Sequence, residues 1–243
     1  GTQMTAVVTE ATAPKGKKTF KRYRLPTEEE LKAAAVEEED LEAVFAEIPF
    51  GIPDEPTPAG GGSGASRAFS LHNYGLKKWR DLFTPRQLLA LGVLIKHTRK
   101  AIEEIRRGGD QKEEIKTEAI GAYLTAAIDR LCDYNSNICN WDSNREYITH
   151  TFQRFALPIK WDFCEIYPFS NATGDYNGGL EWIARYVANA QHGLPNSHRA
   201  RIEIGSAISK KHEEVSLILT DPPYYDAIPY SDLMDFFYIW LRR

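Results

Sequence analysis

The chain has few cysteines, no long apolar run and no excess of positive charge. Its 243 residues include three cysteines, Cys132, Cys139 and Cys164. The odd number and the lack of a CxxC spacing argue against a disulfide framework and against a zinc site, so no metal is expected. No membrane-spanning run or signal peptide is recognisable, and a reduced, cytoplasmic setting fits. With a net charge of −4, any nucleic-acid surface must be local.

The ends of the sequence bear on how it is interpreted. It opens on Gly-Thr-Gln without an initiator methionine, and Arg243 follows two residues after the last helical pattern. We therefore expect the chain to be a segment of a longer protein.

Composition and periodicity divide the chain into four regions. They are a β-hairpin plus helix accessory region (1–50), a linker rich in Pro, Gly and Ser (51–68), a long helical pair (69–134) and an α/β portion (135–243). The glycine run in the second region resembles a phosphate-binding loop. Such a loop should follow an apolar strand, whereas Pro-Asp-Glu-Pro-Thr-Pro precedes this one, so a linker or mobile loop is favoured.

The accessory region and the helical pair have clear local signals. Met4–Thr9 and Thr19–Arg24 alternate like the strands of a hairpin. Thr27 and Glu30 form a capping box that starts one helix, predicted to run to about Ala46. Apolar periodicity then predicts two helices, one from the Thr84-Pro85 cap to about Arg107, where Gly108-Gly109 ends it, and one over Glu113–Cys132.

The fourth region begins with a row of aromatic residues and ends in an α/β pattern. The row is predicted to be core, with a base-stacking surface as the alternative: Trp141, Phe152, Phe155, Trp161, Phe163, Tyr167 and Phe169. After a short helix at Glu181–Gln191, strand patterns cover Arg201–Ile204 and Val215–Thr220, and a helical pattern covers Tyr230–Leu241. The second strand pattern is nearly all apolar, as in a buried parallel strand. The pattern predicts part of a doubly wound, Rossmann-like sheet at the C-terminal end.

Asp221-Pro222-Pro223-Tyr224 follows the predicted buried strand, at the sheet edge where such folds bind ligands. The prolines fix the backbone and donate no hydrogen bond. The Asp221 carboxylate adds further acceptors, and Tyr224 adds a flat ring. The natural complement is a planar ring bearing an amino group, such as adenine or cytosine. Two acceptors holding the amino hydrogens would direct the nitrogen lone pair towards an electrophilic methyl group, and a base in a duplex would first have to be flipped out.

Longer stretches of the sequence, one of which includes Asp221–Tyr224, resemble a protein family. TDPPYYDAIPYSDLMDFFYIWLRR, WRDLFTPRQLLAL, ALPIKWDFCEIYPFS and YRLPTEEEL resemble the bacterial adenine-specific DNA methylases that carry a zinc ribbon. This large family is built around a domain of unknown function, and some of its members are associated with phage defence. The resemblance runs from about Val7 to Arg243. It implies S-adenosylmethionine as cofactor, and DNA and other defence-system proteins as partners. It also implies a glycine-rich cofactor loop and a cysteine-rich ribbon, both expected upstream of Gly1.

The resemblance places the catalytic motif on Asp221, Pro222, Pro223 and Tyr224. Three further groups of residues are candidates for the site, each with a simpler structural role as the alternative. Tyr225, Asp226 and Tyr230 line the base pocket or cap and pack the next helix. Ser206 and Thr84 are, together with Asp221, candidates for binding the cofactor. The simpler interpretation is that Ser206 is a turn residue and that Thr84 caps a helix. Trp161, Asp162 and Glu165 face substrate or pack in the core.

These residues leave several functions open. The main hypothesis is an adenine-N6 DNA methyltransferase. The alternatives are an amino-methyltransferase that acts on cytosine N4, on RNA or on a glutamine amide, a non-catalytic DNA-binding module, and a structural part of a defence complex. No basic stripe is long enough to name as the DNA track. Lys77, Lys78 and Arg80 form one of two short clusters that are candidates for phosphate contact, although a solvated surface is the default interpretation.

Overall fold

The computed structural model describes residues 2–12, 19–61, 64–107, 111–152, 155–193, 202–206, 208 and 216–243. Over these residues six α-helices and two small antiparallel sheets form a mixed α/β structure. None of the helices in the described part of the chain combines the length and apolarity that crossing a bilayer requires.

The predicted hairpin is present and is joined to a second one. Strand β1 (Val7–Thr12) pairs antiparallel with β2 (Thr19–Arg24), so the first strand starts three residues later than predicted. The second hairpin consists of β3 (Trp141–Asp142) and β4 (Tyr147–Ile148). Tyr23 connects the two, because its ring meets the Trp141 ring edge-on at 6.2 Å and its hydroxyl donates to Glu146 at 3.0 Å.

The prediction of one helix between residues 28 and 46 is wrong, because two shorter helices occupy this range. Helix α1 spans Glu28–Ala33 and begins with the predicted capping box of Thr27 and Glu30. Helix α2 spans Glu38–Phe45. The break has a local cause: the Asp40 side chain accepts from the Glu37 amide at 3.1 Å and caps a new helix there.

Helices α3 (Pro85–Arg107) and α4 (Gln111–Tyr134) form the predicted long pair. They pack closely enough that a methyl group on Gly121 of α4 would lie 3.0 Å from the Ile102 side chain of α3. Helix α2 packs on the other side of α3, where Phe45 covers Gly92. The residues predicted to end α3, Gly108 and Gly109, lie outside the described residues.

Two helices follow in the fourth region. Helix α5 (Tyr176–Gly193) packs on α4 and starts five residues before the predicted Glu181. The early start is explained by Asp175, whose carboxylate accepts from the Gly178 amide at 2.8 Å. Helix α6 (Tyr230–Leu241) has the predicted bounds. Its Phe236 and Trp240 are 0% and 1% exposed and complete the core.

The two strands predicted from residue 201 to residue 220 are not formed over the parts described. Residues 202–206 and 216–220 are irregular and exposed, and Leu217 and Leu219 are 72% and 85% exposed. Arg201 and Val215 lie outside the described residues. An apolar run specifies side chains that suit a buried strand, but a strand needs neighbours for its main-chain hydrogen bonds. No such neighbour is present among the described residues, so the predicted parallel sheet is not seen there.

Candidate functional site

The Asp221–Tyr224 motif lies on an exposed loop. All four of its side chains are exposed, Tyr224 to 66%, and the following Tyr225 to 99%. Residues 216–225 make no main-chain hydrogen bond to the rest of the described backbone. The Asp221 carboxylate likewise has no partner among the described residues. The loop therefore offers acceptors and two aromatic rings that the protein itself does not use.

The loop is held at its C-terminal end by the start of α6. Pro229, directly before the helix, is buried, and Leu233 is 9% exposed. Further along α6, Phe236 lies 5.7 Å from Phe83 and 5.1 Å from Phe152, measured between ring centroids. The helix is thus fixed in the aromatic core, while the motif before it remains in solvent.

The other end of α6 is fixed by a buried arginine. The Arg243 guanidinium donates to the carbonyl oxygens of Ile239, Gly51 and Ile52 at 2.5, 2.6 and 3.1 Å. It also pairs with the Glu55 carboxylate at 2.9 Å. Burial lowers the pKa of Arg243, and Glu55 opposes that effect. Because Gly51, Ile52 and Glu55 belong to the predicted linker, the start of that segment is fixed to α6 and is not a free connection.

The glycine-rich segment contacts the motif loop. Asp226 adopts a left-handed backbone conformation, with φ +45°, and its carboxylate lies directly against Gly64. A methyl group added to Gly64 would overlap that carboxylate. Gly64 itself has φ +65°, which favours glycine. The sequence separates these two segments by about 160 residues, and the structure brings them together.

The remaining predicted site residues have different surroundings. Thr84 is 3% exposed, and it caps α3 by accepting from the Gln87 amide at 3.4 Å, while the Thr84 amide donates to Gln87 at 2.8 Å. This geometry matches the helix-cap interpretation. Tyr230 begins α6 and is 41% exposed. Ser206 lies in the exposed stretch 202–206.

The aromatic row is only partly core, which corrects the prediction made for it. Phe152 packs on α6, but the row's later members are largely exposed: Phe155, Trp161, Tyr167 and Phe169. The backbone between them is held in place, because Glu165 forms a two-pronged ion pair with Arg86 at 2.5 and 2.7 Å. The Ile166 amide also donates to the Asn135 side chain at 3.1 Å. Glu165 thus has a structural role, and Trp161 projects into solvent.

A second polar cluster has no counterpart in the sequence-based site. The His150 ring bridges Asp133 at 2.6 Å and the Tyr134 hydroxyl at 2.9 Å. Burial raises the pKa of Tyr134, and the Arg130 guanidinium over its ring opposes this. A cavity of about 490 Å³ lies beside His150, between the ends of β3 and β4. Histidine and aspartate seventeen residues apart give no local signal, so only the fold reveals the cluster. Trp141 and Phe152 of the aromatic row line the cavity, but none of the residues predicted for the catalytic, base or cofactor site does.

Comparisons of the whole chain with protein-family models, with curated proteins and with solved structures find no match.

Proposed function

We propose that this chain carries the catalytic loop of an S-adenosylmethionine-dependent DNA methyltransferase that acts on the N6 amine of adenine. The observation that carries the proposal is the exposed Asp221–Tyr224 loop, with an unpartnered carboxylate beside an aromatic ring among the described residues. A plain turn needs neither an exposed carboxylate nor an exposed ring, and their combination on a loop stiffened by two prolines suits the binding of a planar amine. The resemblance to adenine-specific DNA methylases supports the same function.

The residues of the loop have distinct tasks. The Asp221 carboxylate and the Pro222 carbonyl oxygen accept the two amino hydrogens of the base and orient its nitrogen. As positive charge develops on that nitrogen during transfer, these acceptors stabilise it. Tyr224 stacks on the face of the flipped base. The fixed φ angles of Pro222 and Pro223 limit the conformations the loop must lose on binding.

The cofactor candidates fit S-adenosylmethionine unequally. This cofactor supplies an electrophilic methyl group when it is bound. Asp221 suits a site beside it, because its exposed carboxylate has no partner among the described residues. Thr84 does not suit it, because its hydroxyl is buried and accepts from the backbone of α3. Asp221 and the exposed Ser206 are therefore the better cofactor candidates, and Thr84 serves as the cap of α3. The predicted Rossmann-like sheet belongs to the same proposal.

Methyl transfer is the direct test. This chain, and the longer protein with the glycine-rich cofactor loop that the resemblance implies, are each incubated with methyl-labelled S-adenosylmethionine and with single-stranded or duplex DNA, and the nucleosides are then separated. We expect N6-methyladenine from the protein that carries the cofactor loop and at least a roughly 100-fold slower reaction from its Asp221→Ala variant. The control is Glu104→Gln, which removes an exposed carboxylate from α3 and should leave the rate unchanged.

The products separate the proposal from its alternatives. Labelled methyl groups found in N4-methylcytosine, in RNA or in a glutamine amide would show that the loop acts on a different amine. All three substrates present amino hydrogens similar to those of adenine. DNA binding without any transfer would indicate a base-gripping module. Unfolding of Asp221→Ala would mean that Asp221 only shapes the turn; we expect an unchanged melting temperature.

A further inference from the structure

The stretch from residue 56 to residue 80 is locally basic. It contains Arg67, Lys77, Lys78 and Arg80 and no aspartate or glutamate, in a chain whose net charge is −4. Lys78 and Arg80 are paired with carboxylates from outside the stretch. The side chains of Arg67 and Lys77 are exposed and have no carboxylate partner among the described residues. Two cations thus form no ion pair among the described residues, although acids flank the stretch and the Asp81 carboxylate accepts from the Lys77 amide at 2.9 Å.

An exposed pair of aromatic rings lies within the same surface. Tyr74 is 52% exposed and Trp161 is 83% exposed, and their rings meet edge-on with centroids 6.0 Å apart. Trp161 therefore keeps most of its surface in water. A single exposed aromatic side chain is ordinary on a protein surface. Here two exposed rings meet, and Tyr74 lies three residues before the exposed Lys77, so aromatic rings and a cation occur together, as in surfaces that bind single-stranded nucleic acid.

This surface is connected to the motif loop. Gly64, which contacts Asp226 of the loop, precedes Arg67 by three residues, and the chain then turns through two short 3-10 helices, Gly64–Ala68 and Leu71–Tyr74. Fully extended, the ten residues from Gly64 to Tyr74 would span at most about 35 Å. That upper limit corresponds to roughly ten stacked nucleotides of one strand.

We propose that Arg67, Tyr74, Lys77 and Trp161 form a contact surface for the DNA strand next to the flipped base, an inference that rests on the proposed function. The two cations contact phosphates, and the exposed face of Trp161 stacks on an unpaired base. Cations interleaved with exposed aromatic rings are the features that bind single-stranded nucleic acid without reading its sequence. Another protein as occupant is the alternative outcome of the test.

Binding to a short fluorescein-labelled single-stranded DNA, followed by anisotropy, tests the surface without methyl transfer. Trp161→Ala should weaken binding by roughly 5- to 150-fold, the range for one stacked base. The matched control is Trp182→Ala, because Trp182 is also exposed, to 66%, but lies on α5. It should leave binding unchanged.

Salt dependence separates stacking from phosphate contact. Arg67→Ala combined with Lys77→Ala should reduce the slope of log K against log salt by about 1.4, or about 0.7 for each lost phosphate contact. Trp161→Ala should leave that slope unchanged. Lys32→Ala, which removes an exposed cation from α1, is the charge control. Thermal melts of every variant show whether a loss of binding reflects unfolding.

The outcomes distinguish the surface from the proposed function. If the protein with the cofactor loop methylates DNA, and Trp161→Ala and Trp182→Ala bind DNA equally well, the surface is overturned and the function stands. If DNA binding depends on Trp161 but the protein with the cofactor loop transfers no methyl group, the surface stands and the function is overturned. No detectable DNA binding by the wild-type chain overturns the surface directly.

Discussion

Asp129 gives the most quantitative prediction. Its Oδ1 atom, on α4, is buried without a hydrogen-bond partner among the described residues, and burial raises the pKa of its carboxyl from 3.8 to about 7. Each pH unit is worth about 1.4 kcal/mol, so the ionised form costs at most about 4 kcal/mol. Because Asp129 is only partly buried, solvent screening reduces this to about 1–3 kcal/mol.

The direction of the pH dependence follows from the number of protons that the folded and the unfolded chain hold. Between about pH 4 and pH 7 the folded chain holds a proton on Asp129 that the unfolded chain has released. Its contribution to the free energy of unfolding therefore falls as pH rises through that window, and it is constant above it. Asparagine carries no charge, so Asp129→Asn should match the wild type near pH 4 and exceed it by about 1–3 kcal/mol at pH 8.

Urea unfolding of both proteins at a series of pH values measures this difference. Glu104→Gln, at an exposed site, should show no comparable trend. A stability difference between Asp129→Asn and the wild type that does not change with pH would refute the reasoning, as would a wild type that is the more stable at pH 8.

Three further predictions concern the site and its supports. Gly64→Ala should lower the free energy of unfolding by more than Gly61→Ala in urea titrations, because both glycines have positive φ but only Gly64 abuts another side chain; equal losses would argue against the contact with the motif loop. Arg243→Met should lower the free energy of unfolding by about 1–3 kcal/mol, since it leaves the Gly51, Ile52 and Ile239 carbonyl groups without this donor, while the half-buried Glu55 keeps Arg242 as a partner, and a melting temperature close to that of the wild type would contradict this. Tyr224→Ala should weaken binding of DNA with an unpaired adenine by about 1–3 kcal/mol, and unchanged affinity would remove Tyr224 from the base pocket.

The parts of the fold that local signals specify could be predicted. The long apolar faces of α3 and α4, the Thr27 capping box and the aromatic pattern of α6 all depend on residues within a few turns of one another. The break between α1 and α2 could have been predicted from Asp40, because an acid three residues after Glu37 can cap a new helix. Strands are different, because the run at Leu217–Leu219 carries no information about its neighbours.

The site itself was predictable only as a list of residues. The sequence singles out Asp221–Tyr224, but it cannot show that Gly64 lies against Asp226, because about 160 residues separate them. Trp161 was assigned to the core because aromatic residues usually pack there. The structure leaves it exposed, and the nearby Glu165 is paired with Arg86, 79 residues away along the chain. Tertiary contacts of this kind leave no local pattern.

The position of α6 also sets an order for folding. Its Arg243 bonds Phe50 and Gly51, 193 and 192 residues away along the chain, whereas α3 and α4 are neighbours in sequence. Local contacts form faster than distant ones, because less chain entropy is lost in closing a short loop. The α3–α4 pair should therefore assemble first, and α6 should dock after the transition state. Substitutions in α6 should then mainly accelerate unfolding, while those between α3 and α4 should slow refolding.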